Sequence, residues 1–285
     1  FTGLNGTLVD EAVRRSLVTR RTGLALFGPT LGDALVRSID PFVKGLSGRP
    51  DAVRIFLERL GLDPKHETAA LDANGERTLH QALLSKLVQQ GVRSEFCETL
   101  KRERYHLPSL GVDAEELSNW QNALGRASTP DLGVTLALGD ASAWAAGREA
   151  ESTWRSTILA GLRRLEDGGV NSLSALQWFE SADTTYAGTQ AGLAMNYLVD
   201  PNRPLLAFSP GDGVFKVSGR GTNWLVGQGL DLAVALRVAA AAVGGEGGGH
   251  KVASGATIPI TAREAFLTET NRIVAEQLHR TEAAR

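Results

Sequence analysis

Apolar residues recur at spacings of three and four through the first part of the chain, which predicts amphipathic helices. The predicted helices cover residues 7–18, 51–60, 76–90 and 141–165, and a further one begins at Asp113, with Glu116 placed to complete a capping box. Residues 24–50 are rich in glycine and proline and predict mostly loop. The short apolar segment 132–138 fits a helix or a strand equally well.

After Gly169 the pattern changes to short apolar or alternating segments between helical ones. We predict strands at 173–179, 204–208, 214–218 and 257–260, and helices at 187–198, 231–243 and 263–278. Alternation of strands and helices is typical of an α/β domain. The predicted fold class is therefore α/β, in which a mostly helical N-terminal portion, residues 1–150, precedes a mixed α/β domain, residues 151–285.

Composition and charge restrict the class of protein only broadly. The 285 residues are 42% hydrophobic and 22% charged, with a formal net charge of −2, which argues against a histone-like basic coat but permits a local basic groove. Cys97 is the single cysteine, which excludes an intramolecular disulfide, and no apolar run reaches the roughly 18 residues of a membrane span. We expect a cytoplasmic protein without a membrane partner, and Phe1 in place of methionine indicates that the beginning of a longer protein is missing.

The sharpest chemical signal is the glycine-rich segment 244–255, Gly-Gly-Glu-Gly-Gly-Gly-His-Lys-Val-Ala-Ser-Gly. A glycine run costs backbone entropy, and close approach of bare main chain to a phosphate is one reason to keep it. The alternative is a flexible surface loop between a helix and a strand. The segment lacks the Gly-Lys-Ser/Thr order of a Walker loop, and it follows a helix, which argues against a Rossmann fingerprint.

Two motifs in this half resemble the DHH-associated C-terminal domain. Residues 247–250, Gly-Gly-Gly-His, with Ala253-Ser254-Gly255 after them, resemble its GGGH…AAG signature, with Ser254 in place of the second alanine. Residues 218–220, Ser-Gly-Arg, resemble its S-x-R motif at a strand end. Further segments resemble the archaeal-type RecJ-like exonucleases of the DHH phosphoesterase family, and with them the resemblance covers nearly the whole chain. These segments are 3–5, 27–28, 40–42, 45–48, 122–126, 187–198 and 227–232.

The resemblance implies a protein that cleaves phosphodiester bonds in single-stranded DNA or RNA, one nucleotide at a time. In such proteins Mn²⁺ or Mg²⁺ ions, held by N-terminal aspartates and histidines, activate water. The resemblance assigns substrate binding to Ser218, Arg220, Gly247, Gly248, Gly249 and His250. The alternatives are a solvated charge at a strand end for Arg220 and a structural hydrogen bond within the loop for His250.

The metal-binding motifs of the family are absent from this sequence. It contains no Asp-His-His triplet and no Asp-x-Asp, and the histidines other than His250 are scattered: His66, His80, His106 and His279. We expect residues 1–150 to be a partial DHH domain with a helical segment, in which the metal-binding motifs are missing. We therefore expect no catalytic and no metal-binding residue in this chain. The metal ions would belong to the complete protein, and this chain alone would lack metal-dependent nuclease activity.

Aromatic and basic side chains outside these motifs are weaker candidates. Trp178, Tyr186 and Trp224 lie in the predicted binding domain, where aromatic rings can stack on unpaired bases. Core packing explains Trp178 at least as well, and Trp224, close after Arg220, is the better stacking candidate. The densest basic patch, which we interpret as a solvated helix end, is Lys101, Arg102 and Arg104 with Tyr105 and His106.

Three hypotheses remain open at the level of sequence. In the first, the chain is the nucleic-acid-binding portion of an exonuclease. In the second, it is a non-catalytic RecJ-like scaffold that binds subunits of the replication complex. Arg220 and the Gly-His segment favour the first, since a scaffold has less need to bind phosphate. The third, a phosphodiesterase for short oligonucleotides or cyclic dinucleotides, fits the archaeal RecJ-like segments less well.

Overall fold

The structure is a computed structural model that describes residues 2–182 and 184–282, the last four by their backbone alone. Phe1 and the side chain of His279, both singled out in the sequence, lie outside the described residues. The chain divides into two compact units, which are described separately. Unit 1 comprises residues 1–88 and 94–159, and unit 2 comprises residues 89–93 and 160–285.

Unit 1 is mostly helical, as the sequence predicts, but it also contains an antiparallel sheet in the order β1-β2-β3. The strands are β1 (Thr19–Leu24), β2 (Lys101–Leu107) and β3 (Val112–Asp113). The helices are α1 (Gly3–Arg14), α2 (Leu31–Val36), α3 (Pro50–Arg59), α4 (Ala73–Gln89), α5 (Ser94–Glu98), α6 (Ala114–Arg126) and α7 (Pro130–Ala137). Helix α8 (Trp144–Gly168) begins in unit 1 and ends in unit 2, and single 3₁₀ turns lie at Thr68–Ala70, Ala141–Ala143 and Ile260–Ala262.

Several predictions for unit 1 need correction. The basic patch at 101–106 is not a helix end, because it forms β2, which pairs with β1 from Thr19 opposite His106 to Leu24 opposite Lys101. Residues 19–22 are all exposed, so β1 shows no apolar alternation that a pattern could reveal. The segment 24–50 contains a helix, α2, and the undecided segment 132–138 belongs to α7.

A buried ion pair joins β2 to the start of α6. Arg104 is 9% exposed, pairs with Asp113, and lies over the ring of Phe27 at 4.5 Å from its centroid. Because the Asp113 carboxylate is used in this pair, it does not cap α6, and the predicted capping box does not form. Burial raises the pKa of the Glu116 carboxyl, which lies in the first turn of α6.

Unit 2 is built on a mixed sheet, which within the described residues has six strands in the order β4-β5-β6-β7-β9-β8. The strands are β4 (Asn171–Ser172), β5 (Gln177–Glu180), β6 (Leu205–Pro210), β7 (Val214–Arg220), β8 (Glu246–Gly249) and β9 (Ala253–Pro259). The helices are α9 (Ala187–Tyr197), α10 (Asn223–Gly227), α11 (Leu232–Ala242) and α12 (Arg263–Glu282). β5 and β6 are parallel and the other neighbours antiparallel, which confirms the predicted α/β class.

The two faces of this sheet differ. On one face, the α11 face, Phe208 packs edge-on against Trp178, Phe215 and Phe266 with ring centroids 5.7–6.1 Å apart, so the half-buried Trp178 packs against the core. Helix α9 covers β6 and β7 on the other face, the α9 face. Beyond α9 this second face carries exposed residues at the β7, β8 and β9 positions 216, 246 and 257. The α9 face is therefore the one with accessible strand surface.

Candidate nucleic-acid interface

The glycine-rich segment 244–255 is a β-hairpin and not the predicted loop. β8 pairs antiparallel with β9, with Gly248 opposite Gly255 and Gly249 opposite Ser254. Main-chain bonds between His250 and Ala253 close the turn, with His250 N–H donating to the Ala253 oxygen at 2.8 Å. The run of glycines concealed the strand, because residues without side chains show no alternation of apolar and polar positions.

Gly247 and Gly249 face α11, and packing explains both. A Cβ at Gly247 would stand 2.7 Å from the carbonyl oxygen of Leu236, and one at Gly249 would stand 2.8 Å from Cα of Ser254. Gly249 also has a φ of +143°, which residues with side chains rarely adopt. The structure thus gives these two glycines a role in the fold, and phosphate binding by them stays a prediction.

Gly248 and Gly255 lie on the α9 face, in one row with Ser218. The register places Ser218 opposite Gly255 and Gly255 opposite Gly248, and directly opposed residues of antiparallel strands point to the same face. A Cβ at Gly248 would meet no atom within 4 Å. Next to the Ser218 hydroxyl, the two glycines thus form a strip of sheet surface without side chains. We call this strip, together with Ser218 and with Arg220 on the same face, the floor site: Ser218, Arg220, Gly248 and Gly255.

Arg220 lies on the same face, two residues after Ser218 and opposite Ala253. Its Nη1 donates to the carbonyl oxygen of Gly219 at 2.8 Å, and burial holds the pKa of its guanidinium below the ordinary value. Within residues 2–182 and 184–278, no carboxylate lies close enough to Arg220 to form an ion pair. A partly buried cation without a carboxylate is typical of a site that accepts an anion.

Gly188 of α9 makes room for the Arg220 side chain, and Gly192 lies one turn further along the same helix. A Cβ at Gly188 would stand 2.6 Å from Nη2 of Arg220 and 3.3 Å from Oγ of Ser218, and one at Gly192 would stand 3.9 Å from Nε of Arg220. Gly188 therefore positions both polar side chains of the floor site. Sequence reasoning missed this role, and the available signal was a glycine in the first turn of an otherwise regular helix.

His250 lies in the hairpin turn, at the end of the sheet where Arg220 ends β7. Its main-chain partner Ala253 is directly opposite Arg220, and the side chains of His250 and Lys251 are exposed. The Ser254 hydroxyl donates to the His250 carbonyl at 2.7 Å, which gives the serine in the family's alanine position a bond within the turn. The structure brings Ser218, Arg220 and Gly248 to one face and His250 to the same end of the sheet.

The described residues do not fit a metal centre. No group of three or more His, Cys, Asp or Glu side chains that could hold a metal ion occurs among them, so no metal-dependent step follows from these residues. Cys97 is buried, and burial raises the pKa of its thiol. In the part of the chain that the structure describes, every helix is too short or too polar to cross a membrane.

The floor site falls in a segment with a known sequence signature. Residues 180–276 match the family model of the DHHA1 domain, and they include all six predicted substrate-binding residues. An uncharacterized protein of Methanocaldococcus jannaschii is 28% identical over 280 residues, which are 98% of this chain and 60% of that protein. The chain thus spans 60% of the length of this relative.

Solved structures with a similar course of the chain include CDC45 from Entamoeba histolytica, with a TM-score of 0.59 and 10% identity over 91% of this chain and 58% of that one. RecJ from Thermus thermophilus, in complex with Mn²⁺, has a TM-score of 0.45 and 17% identity over 79% of this chain and 35% of that one. The likeness to CDC45 is a likeness of fold.

Proposed function

We propose that the chain is a RecJ-like protein of the DHH family and that its residues 180–276, which match the DHHA1 domain, bind the sugar-phosphate backbone of single-stranded DNA or RNA for an exonuclease. The chain spans 60% of its curated relative, so cleavage itself is proposed for the complete protein. Divalent metal, which the Thermus thermophilus RecJ complexes contain as Mn²⁺ or Mg²⁺, belongs to that part of the proposal.

The guanidinium of Arg220 is the observation that carries the proposal. Burial of a charge costs free energy unless an opposite charge or hydrogen bonds compensate for it. Arg220 keeps one main-chain acceptor, Gly219, and among the described residues it has no carboxylate partner. A phosphate would supply the missing charge, since the planar guanidinium can donate two parallel bonds to its oxygens.

The surroundings of Arg220 suit a phosphate that is part of a polymer. Gly248 and Gly255 form a surface without side chains beside it, so a sugar-phosphate chain can approach the sheet closely. The Ser218 hydroxyl lies on the same face and can donate a further bond to a phosphate oxygen. At the end of the sheet, Lys251 adds positive charge and His250 adds a ring N–H donor for a neighbouring phosphate.

The non-catalytic scaffold is the second candidate, and the fold likeness to CDC45 is the observation that favours it. A scaffold would use this domain for contacts with other replication subunits. Membership of the archaeal type of the family is likewise a proposal. So is the kind of strand, DNA or RNA, that the domain binds. Arg220 separates the two candidates experimentally, because a protein-binding scaffold has no requirement for a partly buried guanidinium without a carboxylate partner.

The test is a binding assay with a labelled single-stranded oligonucleotide. We expect salt-sensitive binding by the wild-type chain and at least about tenfold weaker binding by Arg220→Ala, which removes one charged hydrogen-bonding group. Arg237→Ala is the matched control, since Arg237 is an exposed arginine of α11 in the same unit. Salt-insensitive binding by the wild type, or equal losses in the two variants, would overturn the proposal.

A further inference from the structure

Trp224 is an exposed aromatic residue immediately beyond the floor site. It is 39% exposed, and it is the one aromatic among the large hydrophobic side chains exposed in the described part of the chain. It follows Arg220 closely in sequence and lies in the first turn of α10. A single exposed apolar residue is ordinary on a protein surface, so exposure alone assigns Trp224 no role.

Arg93 provides the second observation. Its guanidinium carbon lies 4.8 Å from the centroid of the Trp224 ring, a cation–π contact between residues far apart in sequence. The segment 89–93 belongs to unit 2, although both of its flanks in sequence belong to unit 1. Aromatic rings and guanidinium planes are both surfaces on which proteins stack unpaired bases.

Both side chains are held on ordered main chain. The Thr222 hydroxyl accepts from Leu225 N–H at 3.1 Å and caps α10, and the Leu225 side chain is buried. The amide of Gln90 donates to the Tyr197 carbonyl at 2.5 Å, which fastens the segment 89–93 to the end of α9. The ring and the guanidinium are thus positioned before any ligand arrives, which lowers the entropic cost of binding.

Helix α9 shows how this pair lies relative to the floor site. Gly188 adjoins Ser218 and Arg220, Gly192 adjoins only Arg220, and Tyr197 adjoins the segment that carries Arg93. Since a helix advances about 1.5 Å per residue, positions 188 and 197 are about 13 Å apart. β7 runs in the same direction as α9, because α9 connects the parallel strands β5 and β6 and β7 is antiparallel to β6. Ser218 and Arg220 therefore follow one another along α9, and the Trp224–Arg93 pair lies beyond them, next to the helix end that Gln90 contacts.

We infer that Trp224 and Arg93 form a stacking site for an unpaired nucleobase of the strand whose phosphate lies on the floor site. The inference rests on the proposed function and adds the direction in which the strand continues, from Ser218 past Arg220 towards Trp224. A purely structural role, in which the pair only fastens the segment 89–93, would be served better by a buried ring. The ring is exposed at the end of the phosphate-binding row, where a base attached to that strand would lie.

The experiment compares an oligodeoxythymidylate with an abasic oligonucleotide of the same length, which keeps every phosphate but has no bases. We expect Trp224→Ala and Arg93→Ala to weaken binding of the thymidylate by about tenfold, as for one lost stacked base. Neither variant should change binding of the abasic strand by more than about twofold. Val238→Ala, an exposed apolar residue of α11, is the matched control for the ring, and Arg237→Ala for the guanidinium.

A second measurement covers the case in which Trp224→Ala does not fold. The chain has five tryptophans, and we expect thymidylate to quench the fluorescence of the wild type but much less that of Trp224→Phe, with similar affinity. Equal losses on both strands would contradict the inference, because they would assign the pair to the sugar-phosphate backbone. Wild-type behaviour of the variants, with Arg220→Ala still deficient, would overturn the inference alone, and wild-type binding without salt dependence would overturn the proposed function.

Discussion

Arg104 in unit 1 and Arg220 in unit 2 are both strand arginines withdrawn from water, and their surroundings differ. Arg104 pairs with Asp113, donates to the carbonyls of Leu24 and Leu26 at 3.1 and 3.3 Å, and covers the ring of Phe27. Arg220 has one main-chain acceptor and, among the described residues, no carboxylate. Burial of an arginine alone therefore does not indicate an anion-binding site, whereas burial of an arginine without a compensating carboxylate does.

The largest effect we expect concerns the paired arginine. Arg104→Met should cost about 3–5 kcal/mol of unfolding free energy, because it leaves the buried Asp113 carboxylate with Arg21 alone, whose Nη2 lies 3.8 Å away and whose side chain is exposed. Urea unfolding followed by tryptophan fluorescence measures this loss. The double variant Arg104→Met with Asp113→Leu should regain much of it, since both buried charges are then gone.

The same substitution at the other arginine sharpens the contrast. Arg220→Met should change the unfolding free energy by less than about 1 kcal/mol, because no partner is left uncompensated. If Arg220→Met destabilises the chain as much as Arg104→Met does, then Arg220 is also a structural residue, and the assignment of an anion to it is wrong.

A smaller effect on stability is expected for the hairpin glycines, which divide into those that face α11 and those on the open α9 face. Gly247→Ala should cost about 1–3 kcal/mol, because its Cβ would overlap the Leu236 carbonyl of α11. Gly255→Ala places a Cβ 3.3 Å from the Val217 oxygen, a tight but tolerable contact, and should change stability much less. It should weaken oligonucleotide binding instead, since its methyl group covers the floor. Thermal unfolding and binding of both variants test the separation, and a Gly255→Ala chain that binds normally would contradict it.

Gly188 is expected to act only through the side chains it positions. Gly188→Ala should weaken oligonucleotide binding by about tenfold, the loss expected if the Arg220 guanidinium is displaced from a charged hydrogen bond. Adding Arg220→Ala to this variant should then cost little more, because the two changes remove one interaction. Gly192→Ala, whose Cβ would stand an ordinary 3.9 Å from Arg220, is the control. Full additivity of Gly188→Ala and Arg220→Ala would show that Gly188 acts elsewhere.

The smallest effect is a pH dependence in unit 1. Burial, with the charge of Asp113, raises the pKa of Glu116, so the folded state binds its proton more tightly than the unfolded state does. The stability linked to that proton is complete at low pH and is lost as pH rises through the folded-state pKa. Glu116→Gln should therefore raise Tm by about 1–2 °C at pH 7–8 and not at pH 4. Exposed Glu149→Gln is the control, and a gain that persists at pH 4 would contradict the assignment.

Apolar patterns account for the part of the fold that the sequence predicted correctly. Helices α9, α11 and α12 and strands β6 and β7 were found close to their observed bounds, because their buried positions recur at helical or alternating spacing. Strands β1 and β2 were missed since they are held by main-chain pairing and carry mostly polar side chains. The β8 strand was missed because its glycines leave no pattern.

The candidate site was predictable to the extent that it is local in sequence. Ser218, Arg220 and the Gly-His segment came from motifs, and the structure brings them to one end of one sheet. Which glycines face α11 and which face the open floor depends on strand register, which one sequence does not reveal. Gly188 and Arg93 reach their positions by long-range packing, so the sequence could mark Gly188 as unusual in its helix but could not place either residue beside Ser218, Arg220 or Trp224.

The most direct test of the anion assignment is a thermodynamic cycle between Arg220 and individual phosphates. Single phosphodiesters along an oligonucleotide are replaced by uncharged methylphosphonates, and the affinities of the wild type and of Arg220→Ala are measured for each strand. We expect one position at which the wild type loses about tenfold in affinity and Arg220→Ala loses nothing, because the charged partner is already absent. Equal losses by both proteins at every position would contradict the account.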